Sequence, residues 1–128
     1  MPLRYEHAHL VHRDPAGAVR FYQDVLGATI KDSLMRHGAP QTKLLLGGTM
    51  FIVRGVRPGE PPPMPPAALP RMGVDHLGFY VDKGEYGPML AALRAKGVPI
   101  LEEGDLPHLR YCYFEGPDAV VLEFMEMK

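Results

Sequence analysis

The two halves of this sequence carry the same succession of helix and strand signals, and this repetition restricts the possible folds more than any other feature. In the first half, a His-rich apolar run leads to Asp14 and Pro15, a pair that is typical of a helix N-terminus. A helical pattern then continues to Gly27, and three strand-like segments follow it. These segments are approximately residues 28–35, 42–46 and 49–54. The first half therefore predicts the order βαβββ.

The second half repeats this order. A strand over residues 74–81 leads to Asp82 and to a helical pattern that Gly97 ends. Three further strand-like segments follow, at approximately residues 98–102, 109–114 and 120–127. The sequence therefore predicts a single α+β domain over residues 1–128. It consists of a first βαβββ module at 1–56 and a second at 74–128, whose curved sheets enclose a cleft.

The two modules are joined by a proline-rich segment, residues 57–73. Proline at this density is incompatible with a sheet ladder or a helix interior, because it lacks an N–H donor and fixes its own backbone angle. Two interpretations remain open. The segment is a semi-rigid spacer, or it is a loop that also covers the mouth of the cleft.

Charge and composition exclude several classes of function. The 14 Lys and Arg residues nearly balance the 15 Asp and Glu residues, so no basic excess exists to neutralise a phosphate backbone or an anionic membrane. No segment has the apolar length of a membrane span, and the first residues lack the apolar core of a signal peptide. We therefore expect a cytoplasmic protein without nucleic-acid or membrane partners. The single cysteine, Cys112, excludes an internal disulfide and is interpreted as a packed thiol.

Two histidines and one glutamate stand out as candidate metal ligands. His7 lies seven residues before Asp14 and His76 lies six before Asp82, so a histidine recurs at equivalent places in both modules. Glu123 lies among apolar residues of the last strand, where burial of its charge is costly unless a cation offsets it. Two imidazoles and one carboxylate form a facial triad that leaves coordination positions open. Each residue alone also has a simpler explanation, as a hydrogen-bonded strand histidine or an ion-pair partner.

Two further residues are candidates for contact with a substrate. His9 shares a strand face with His7, because side chains alternate along a strand, and it is a candidate acid or base. The alternative for His9 is a hydrogen-bonded wall residue. Arg54 is a candidate contact for an anionic group of the substrate, and its alternative is a solvated charge at a strand edge.

Three segments resemble the vicinal oxygen chelate superfamily, which contains glyoxalase I, bleomycin-resistance proteins and extradiol dioxygenases. They are the opening His7–Gly27 with its Phe-Tyr and Leu-Gly pairs, the segment Asp75–Asp82, and the closing motif Gly116–Glu123. In that superfamily the closing motif usually reads Asp-Pro-Asp-Gly before the ligand glutamate. The resemblance implies the paired-module fold and a divalent metal held by His7, His76 and Glu123. It is specific for the fold and not for the reaction.

Departures from the superfamily pattern bear on the reaction. Glyoxalase I and methylmalonyl-CoA epimerase use a fourth protein ligand, where this sequence has Ile52 or Arg54, and neither side chain ligates a metal. A three-ligand site is similar to those of extradiol dioxygenases and fosfomycin-modifying enzymes. The cation loop of the fosfomycin enzymes, however, has no match at residues 103–108.

The resemblance therefore slightly favours a metal-dependent enzyme of the extradiol-dioxygenase type, whose substrate is chelated through two neighbouring oxygens. The implied metal is Fe²⁺, Mn²⁺, Zn²⁺ or Ni²⁺. Two alternatives remain open: a glyoxalase-type lyase or isomerase, and a non-catalytic protein that binds a drug or another small molecule. Small two-module relatives also imply a homodimer.

Overall fold

The computed structural model describes residues 2–128 and divides into two compact units, with the boundary between Met64 and Pro65. Each unit contains one helix and one four-stranded mixed sheet in the chain order βαβββ. This arrangement confirms the predicted α+β fold of paired βαβββ modules. The boundary between the units falls within the proline-rich segment.

The first unit contains a sheet with the strand order β1-β4-β3-β2. Strand β1 is parallel to β4, and the other pairs are antiparallel. The elements are β1 (His7–Val11), α1 (Pro15–Leu26), β2 (Thr29–Arg36), β3 (Ala39–Leu46) and β4 (Thr49–Arg54). Helix α1 and the β2–β3 hairpin together form the connection between the parallel strands β1 and β4.

Local sequence explains where α1 begins and ends. The Asp14 side chain accepts a hydrogen bond from the backbone N–H of Gly17 at 3.0 Å, as expected of an N-cap residue. Gly27 ends the helix with φ +74°, a left-handed conformation that glycine adopts without steric cost. The helix buries Tyr22 completely, with its ring 5.6 Å from that of Phe51 on β4. Burial of an aromatic side chain of this size contributes on the order of 2–3 kcal/mol.

The second unit has the equivalent strand order β5-β8-β7-β6, with β5 parallel to β8. The elements are β5 (Leu77–Tyr80), α2 (Tyr86–Ala95), β6 (Ile100–Asp105), β7 (Leu109–Glu115) and β8 (Val121–Met127). A short 3-10 turn, Pro117–Ala119, joins the last two strands. Strand β5 is shorter than the predicted 74–81, so His76 directly precedes the strand.

Alternation along β7 and β8 separates the core from the candidate site. Cys112, Phe114, Leu122 and Phe124 are all at most 2% exposed, and the Phe124 ring lies 5.0 Å from that of Tyr86 on α2. Burial raises the pKa of the Cys112 thiol to about 11, which agrees with the predicted packed thiol. The intervening residues of β8 face the opposite side of the sheet.

Glu126 on β8 holds the beginning of α2 in place. Its carboxylate accepts hydrogen bonds from the backbone N–H groups of Gly84 and Tyr86, at 2.5 and 3.1 Å. The Arg110 guanidinium donates to the second carboxylate oxygen at 2.6 Å. The Arg110 bond and these N–H donors lower the pKa of Glu126 from 4.5 to about 2.

A carboxylate whose pKa is lowered by folding stabilises the protein only while it is ionised. We therefore expect the contribution of Glu126 to be complete above about pH 4.5 and to be lost as the pH falls towards about 2. Urea unfolding between pH 7 and 2 measures this loss. In Glu126→Gln the free energy of unfolding should start lower at pH 7 and decrease less over this interval. Equal decreases in variant and wild type would contradict the assignment.

No helix within residues 2–128 combines the length and the apolar character that crossing a membrane requires.

Candidate metal site

Two of the three predicted metal ligands, His76 and Glu123, lie side by side in the second unit. Glu123 is opposite Gly78 of β5 and Tyr113 of β7 in the register of the sheet. The His76 Nε2 atom is 3.6 Å from Glu123 Oε1, which is long for a hydrogen bond. Two ligand atoms that each lie about 2.1 Å from one metal ion are separated by roughly 3–3.5 Å. The spacing of this pair therefore suits a shared cation better than a direct hydrogen bond.

Gly78 provides the space for the Glu123 carboxylate. A Cβ atom at position 78 would lie only 2.9 Å from Glu123 Oε1, so a larger residue would displace the carboxylate. Glycine in the middle of a strand is otherwise unfavourable, because it costs conformational entropy and packs no side chain. Its presence beside Glu123 is consistent with a requirement for room at this point.

The charge of Glu123 is poorly compensated by its surroundings. The residue is 8% exposed, and burial raises the pKa of its carboxyl, an effect that nearby His76 opposes only in part. A buried carboxylate in this position is stabilised by a cation. The donor set of one imidazole nitrogen and one carboxylate oxygen therefore fits a divalent metal.

His76 is oriented by the residue that precedes it. Its Nδ1 atom is 2.8 Å from Asp75 Oδ2, and this hydrogen bond, with a second one from the Arg71 backbone N–H, lowers the pKa of Asp75. An ionised carboxylate accepts only, so in the neutral imidazole of His76 the proton is on Nδ1 and the lone pair is on Nε2. That lone pair is on the nitrogen nearest Glu123. The arrangement resembles the carboxylate–histidine pairs that orient metal ligands.

His7 has the same local arrangement in the first unit. Its Nδ1 atom is 2.6 Å from Glu6 Oε2, and this bond lowers the pKa of Glu6. Each module therefore holds one histidine through the carboxylate of the preceding residue, an arrangement that in a neutral imidazole leaves the lone pair on Nε2. Neither acid was among the predicted site residues, although an acidic residue immediately before each candidate histidine is visible in the sequence.

The structure places the three predicted ligands in different units. His7 belongs to the first unit, whereas His76 and Glu123 belong to the second. Within residues 2–128 no three His, Cys, Asp or Glu side chains come together closely enough to hold a metal ion. The pairing of His76 with Glu123 is thus observed, and the participation of His7 stays a prediction.

His9 lies beside His7 on β1, with the two ring centroids 6.0 Å apart in an edge-on arrangement. Its pKa is lowered, first by burial and then by the positive charge of Arg54. A neutral imidazole at neutral pH is suited to accept a proton. The role of His9 as an acid or base stays a prediction.

Arg54 is already engaged in an ion pair. Its guanidinium makes two parallel hydrogen bonds to Glu60, at 2.6 and 3.0 Å, and these bonds are the main cause that lowers the pKa of Glu60 to about 2. Its Nη1 also donates to the Gly55 carbonyl oxygen at 3.0 Å. An anionic substrate group would have to compete with Glu60 for this guanidinium.

Tyr113, which was not among the predicted site residues, lies beside the His76–Glu123 pair. Its ring centroid is 4.6 Å from that of His76, and it pairs with Glu123 across β7 and β8. Burial and then the Glu123 charge raise the pKa of its hydroxyl, which therefore stays protonated at neutral pH. Alternation put Tyr113 on one face of β7, but only the register with β8 shows that Glu123 shares that face.

A cavity of about 240 Å³ lies in the second unit, on the sheet face that carries Tyr113 and Glu123. Glu115 and Val121, which line it, are each two residues from Tyr113 and Glu123 and so share their sheet face. The remaining lining residues are Leu69, Arg71, Leu101 and Ala119. The cavity is lined mainly by apolar side chains, and it offers space for an apolar group close to the ligand pair.

Comparison with known proteins identifies the class to which these paired units belong. The family model described as the Glyoxalase/Bleomycin resistance protein/Dioxygenase superfamily matches residues 4–124. The chain therefore belongs to this superfamily, and the resemblance of its three segments is confirmed. A search of functionally curated proteins found no match.

Several solved structures share the fold. A glyoxylase/bleomycin resistance protein/dioxygenase domain from Frankia sp. EAN1pec is 22% identical, covers 100% of both chains and superimposes with a TM-score of 0.82. The fosfomycin resistance protein FosX from Listeria monocytogenes is 18% identical, with 98% of this chain and 94% of that chain covered and a TM-score of 0.76. FosX from Mesorhizobium loti is 15% identical, with 97% and 91% covered and a TM-score of 0.71. These similarities establish the fold.

Proposed function

We propose that this protein is a metal-dependent enzyme that binds a small molecule through two neighbouring oxygens, with His7, His76 and Glu123 as the metal ligands. The observation that carries this proposal is the His76–Glu123 pair: His76 Nε2 is 3.6 Å from Glu123 Oε1, and the charge of the buried Glu123 carboxylate has no full compensation. The matching Glu6–His7 hydrogen bond supports the third ligand, because it leaves the same nitrogen of His7 free.

A bound divalent metal would supply Lewis acidity that stabilises negative charge on the chelated substrate oxygens. The protein residues have separate tasks. The protonated Tyr113 hydroxyl donates a hydrogen bond to a substrate oxygen beside His76, and its raised pKa keeps it a donor at neutral pH. Neutral His9, which lies beside His7 in the first module, accepts a proton. The neighbouring apolar cavity excludes water from one side of the substrate.

Three protein ligands leave three positions of an octahedral ion open. A bidentate substrate would occupy two of them, and one further small molecule would occupy the last. This count supports extradiol-type oxygenation as the first reaction to test. A non-redox reaction is the second candidate, because a mutant form of FosX from Listeria monocytogenes has been solved with Mn(II) and 1S,2S-dihydroxypropylphosphonic acid, which carries two neighbouring hydroxyls.

The reaction class is tested on protein purified without oxygen, first by elemental analysis and then by assay. With Fe(II) restored, we expect oxygen consumption with at least one compound of a catechol panel, and none in Glu123→Ala. The same preparation is assayed for hemithioacetal isomerisation with nickel or zinc and for fosfomycin hydration with manganese.

Each outcome assigns a class. No oxygen uptake together with isomerisation or hydration would replace the oxygenase assignment by a non-redox one. A metal-free protein that binds hydrophobic drugs and turns over none of these compounds would contradict the proposal of an enzyme.

A further inference from the structure

Arg71, near the end of the proline-rich segment, attaches that segment to the second unit. Its Nη2 donates to the Ala119 carbonyl oxygen at 2.7 Å, across 48 residues of chain, and its Nε donates to the Ala67 carbonyl oxygen at 2.7 Å. Two donors of one planar guanidinium therefore join the segment to the β7–β8 turn. A lysine has a single donor atom and would not reproduce this fork.

The same residue is connected to the metal-ligand pair through its backbone. The Arg71 N–H donates to Asp75 Oδ1 at 2.8 Å, while Asp75 Oδ2 accepts from His76 Nδ1, also at 2.8 Å. Both oxygens of one carboxylate are thus used, one by the segment and one by the imidazole. A shift of the segment would move Asp75 and with it the preferred orientation of the His76 ring.

The β7–β8 turn, which Arg71 contacts, has a left-handed backbone conformation at two non-glycine residues. Asp118 and Ala119 have φ values of +52° and +57°, in the left-handed region that is unfavourable for non-glycine residues. The superfamily motif usually has glycine at the place of Ala119, where such a conformation costs little. A hydrogen bond from Arg71 to the Ala119 carbonyl helps to hold the turn in this conformation.

We propose that the end of the proline-rich segment, through Arg71 and Asp75, positions the imidazole ring of His76 for metal binding. Arg71 and Asp75 are positioning residues, since they act through His76. The proposal rests on the metal site proposed above, and for that reason its test includes a measurement on the metal-free protein. The Glu6–His7 bond provides a matched comparison, because among the described residues the hydrogen bond of the Glu6 carboxylate is to His7 and not to the segment.

The first measurement is the tautomer of His76 in metal-free protein, read from long-range ¹⁵N–¹H correlation spectra. Wild type should show a proton on Nδ1. In Arg71→Ala and Arg71→Lys the spectrum should move towards a mixture of tautomers. Asp75→Asn, which keeps the side-chain volume, should give the larger change and serves as the second variant if Arg71→Ala fails to fold.

The second measurement is the affinity for Mn²⁺ and Zn²⁺ in competition with a chromophoric chelator. Loss of a group that orients a metal-bound histidine lowers affinity by roughly 10–100-fold, and we expect a decrease in this range for Arg71→Ala and Arg71→Lys. The control is Arg94→Ala, which removes an arginine of the same unit whose side chain is 60% exposed and pairs with Glu103. It should change neither the tautomer nor the affinity.

The outcomes separate the two proposals. Folded Arg71 variants with the wild-type tautomer and wild-type metal affinity would overturn the positioning role. A changed tautomer in a protein whose wild type binds no metal would overturn the proposed metal function but support the positioning of His76 by the segment. Equal losses of metal affinity in Arg94→Ala and Arg71→Ala would assign the effect to the change in net charge and overturn the proposal.

Discussion

Replacement of Glu123 by alanine is expected to weaken divalent-metal binding by roughly 100-fold or more, because loss of a ligand should exceed the 10–100-fold effect of losing a group that only orients one. Metal content after dialysis, measured by elemental analysis, provides the test. His76→Ala should have an effect of similar size, since its Nε2 is the nearest partner of the Glu123 carboxylate. The control is Glu85→Ala, which removes an exposed carboxylate at the start of α2 in the same unit and should leave metal content at the wild-type level.

The stability of the metal-free protein provides an independent test of Glu123. Here, removal of the carboxylate charge is expected to increase stability, whereas it decreases metal affinity. Because burial raises the folded-state pKa of Glu123, the folded protein holds this proton more tightly than the unfolded chain, and stability falls as the pH rises through the pKa. We therefore expect Glu123→Gln to increase the free energy of unfolding of metal-free protein at pH 7. With metal bound, wild type should become the more stable of the two. A variant that is less stable in both conditions would indicate a structural role for Glu123 instead.

The sequence predicted the fold well because its signals were local. Asp14 and Gly27 mark the two ends of α1 by their own backbone chemistry, and the same pattern recurs in the second half. His76 was likewise marked by its recurrence with His7 at equivalent places of the two modules, and Glu123 by its apolar neighbours in the last strand. Local signals sufficed for these features.

Other parts of the site could not be predicted because they depend on register and on long-range hydrogen bonds. Tyr113 joins the site only because β7 pairs with β8 so that residue 113 is opposite residue 123. Asp75 matters because it accepts from two groups, one of which is the backbone of Arg71. The late start of β5, at Leu77 instead of residue 74, also follows from tertiary structure, since the Asp75 side chain bonds to Arg71 and pairing with β8 begins only at Leu77.

Open sheet edges in both units support the prediction of a homodimer. Strand β2 is exposed at all eight of its residues, and its side chains include Ile30 at 49%, Leu34 at 41% and Met35 at 66% exposure. An edge strand with apolar side chains is usually covered or paired in solution, and symmetric pairing of two copies is the common way to do so. We expect a homodimer in which His7 of one copy completes the site that His76 and Glu123 of the other copy begin.

A mixing experiment tests this shared site. Chains carrying His7→Ala and chains carrying Glu123→Ala should each retain little metal alone. After the two are unfolded and refolded together, half of the dimers are mixed, and each mixed dimer has one intact site. Metal content should then recover to roughly one quarter of the wild-type value, because one of two sites is intact in half of the molecules.

The matched control is a mixture of His76→Ala and Glu123→Ala chains. These two ligands come from the same copy in a shared site, so no exchange of subunits restores an intact triad, and metal content should stay low. Wild type refolded in the same way establishes how much metal binding survives the treatment. If the His7→Ala and Glu123→Ala mixture stays as low as this control while wild type recovers, each site is contained within one chain. A monomeric mass for the metal-loaded wild type in solution would lead to the same conclusion.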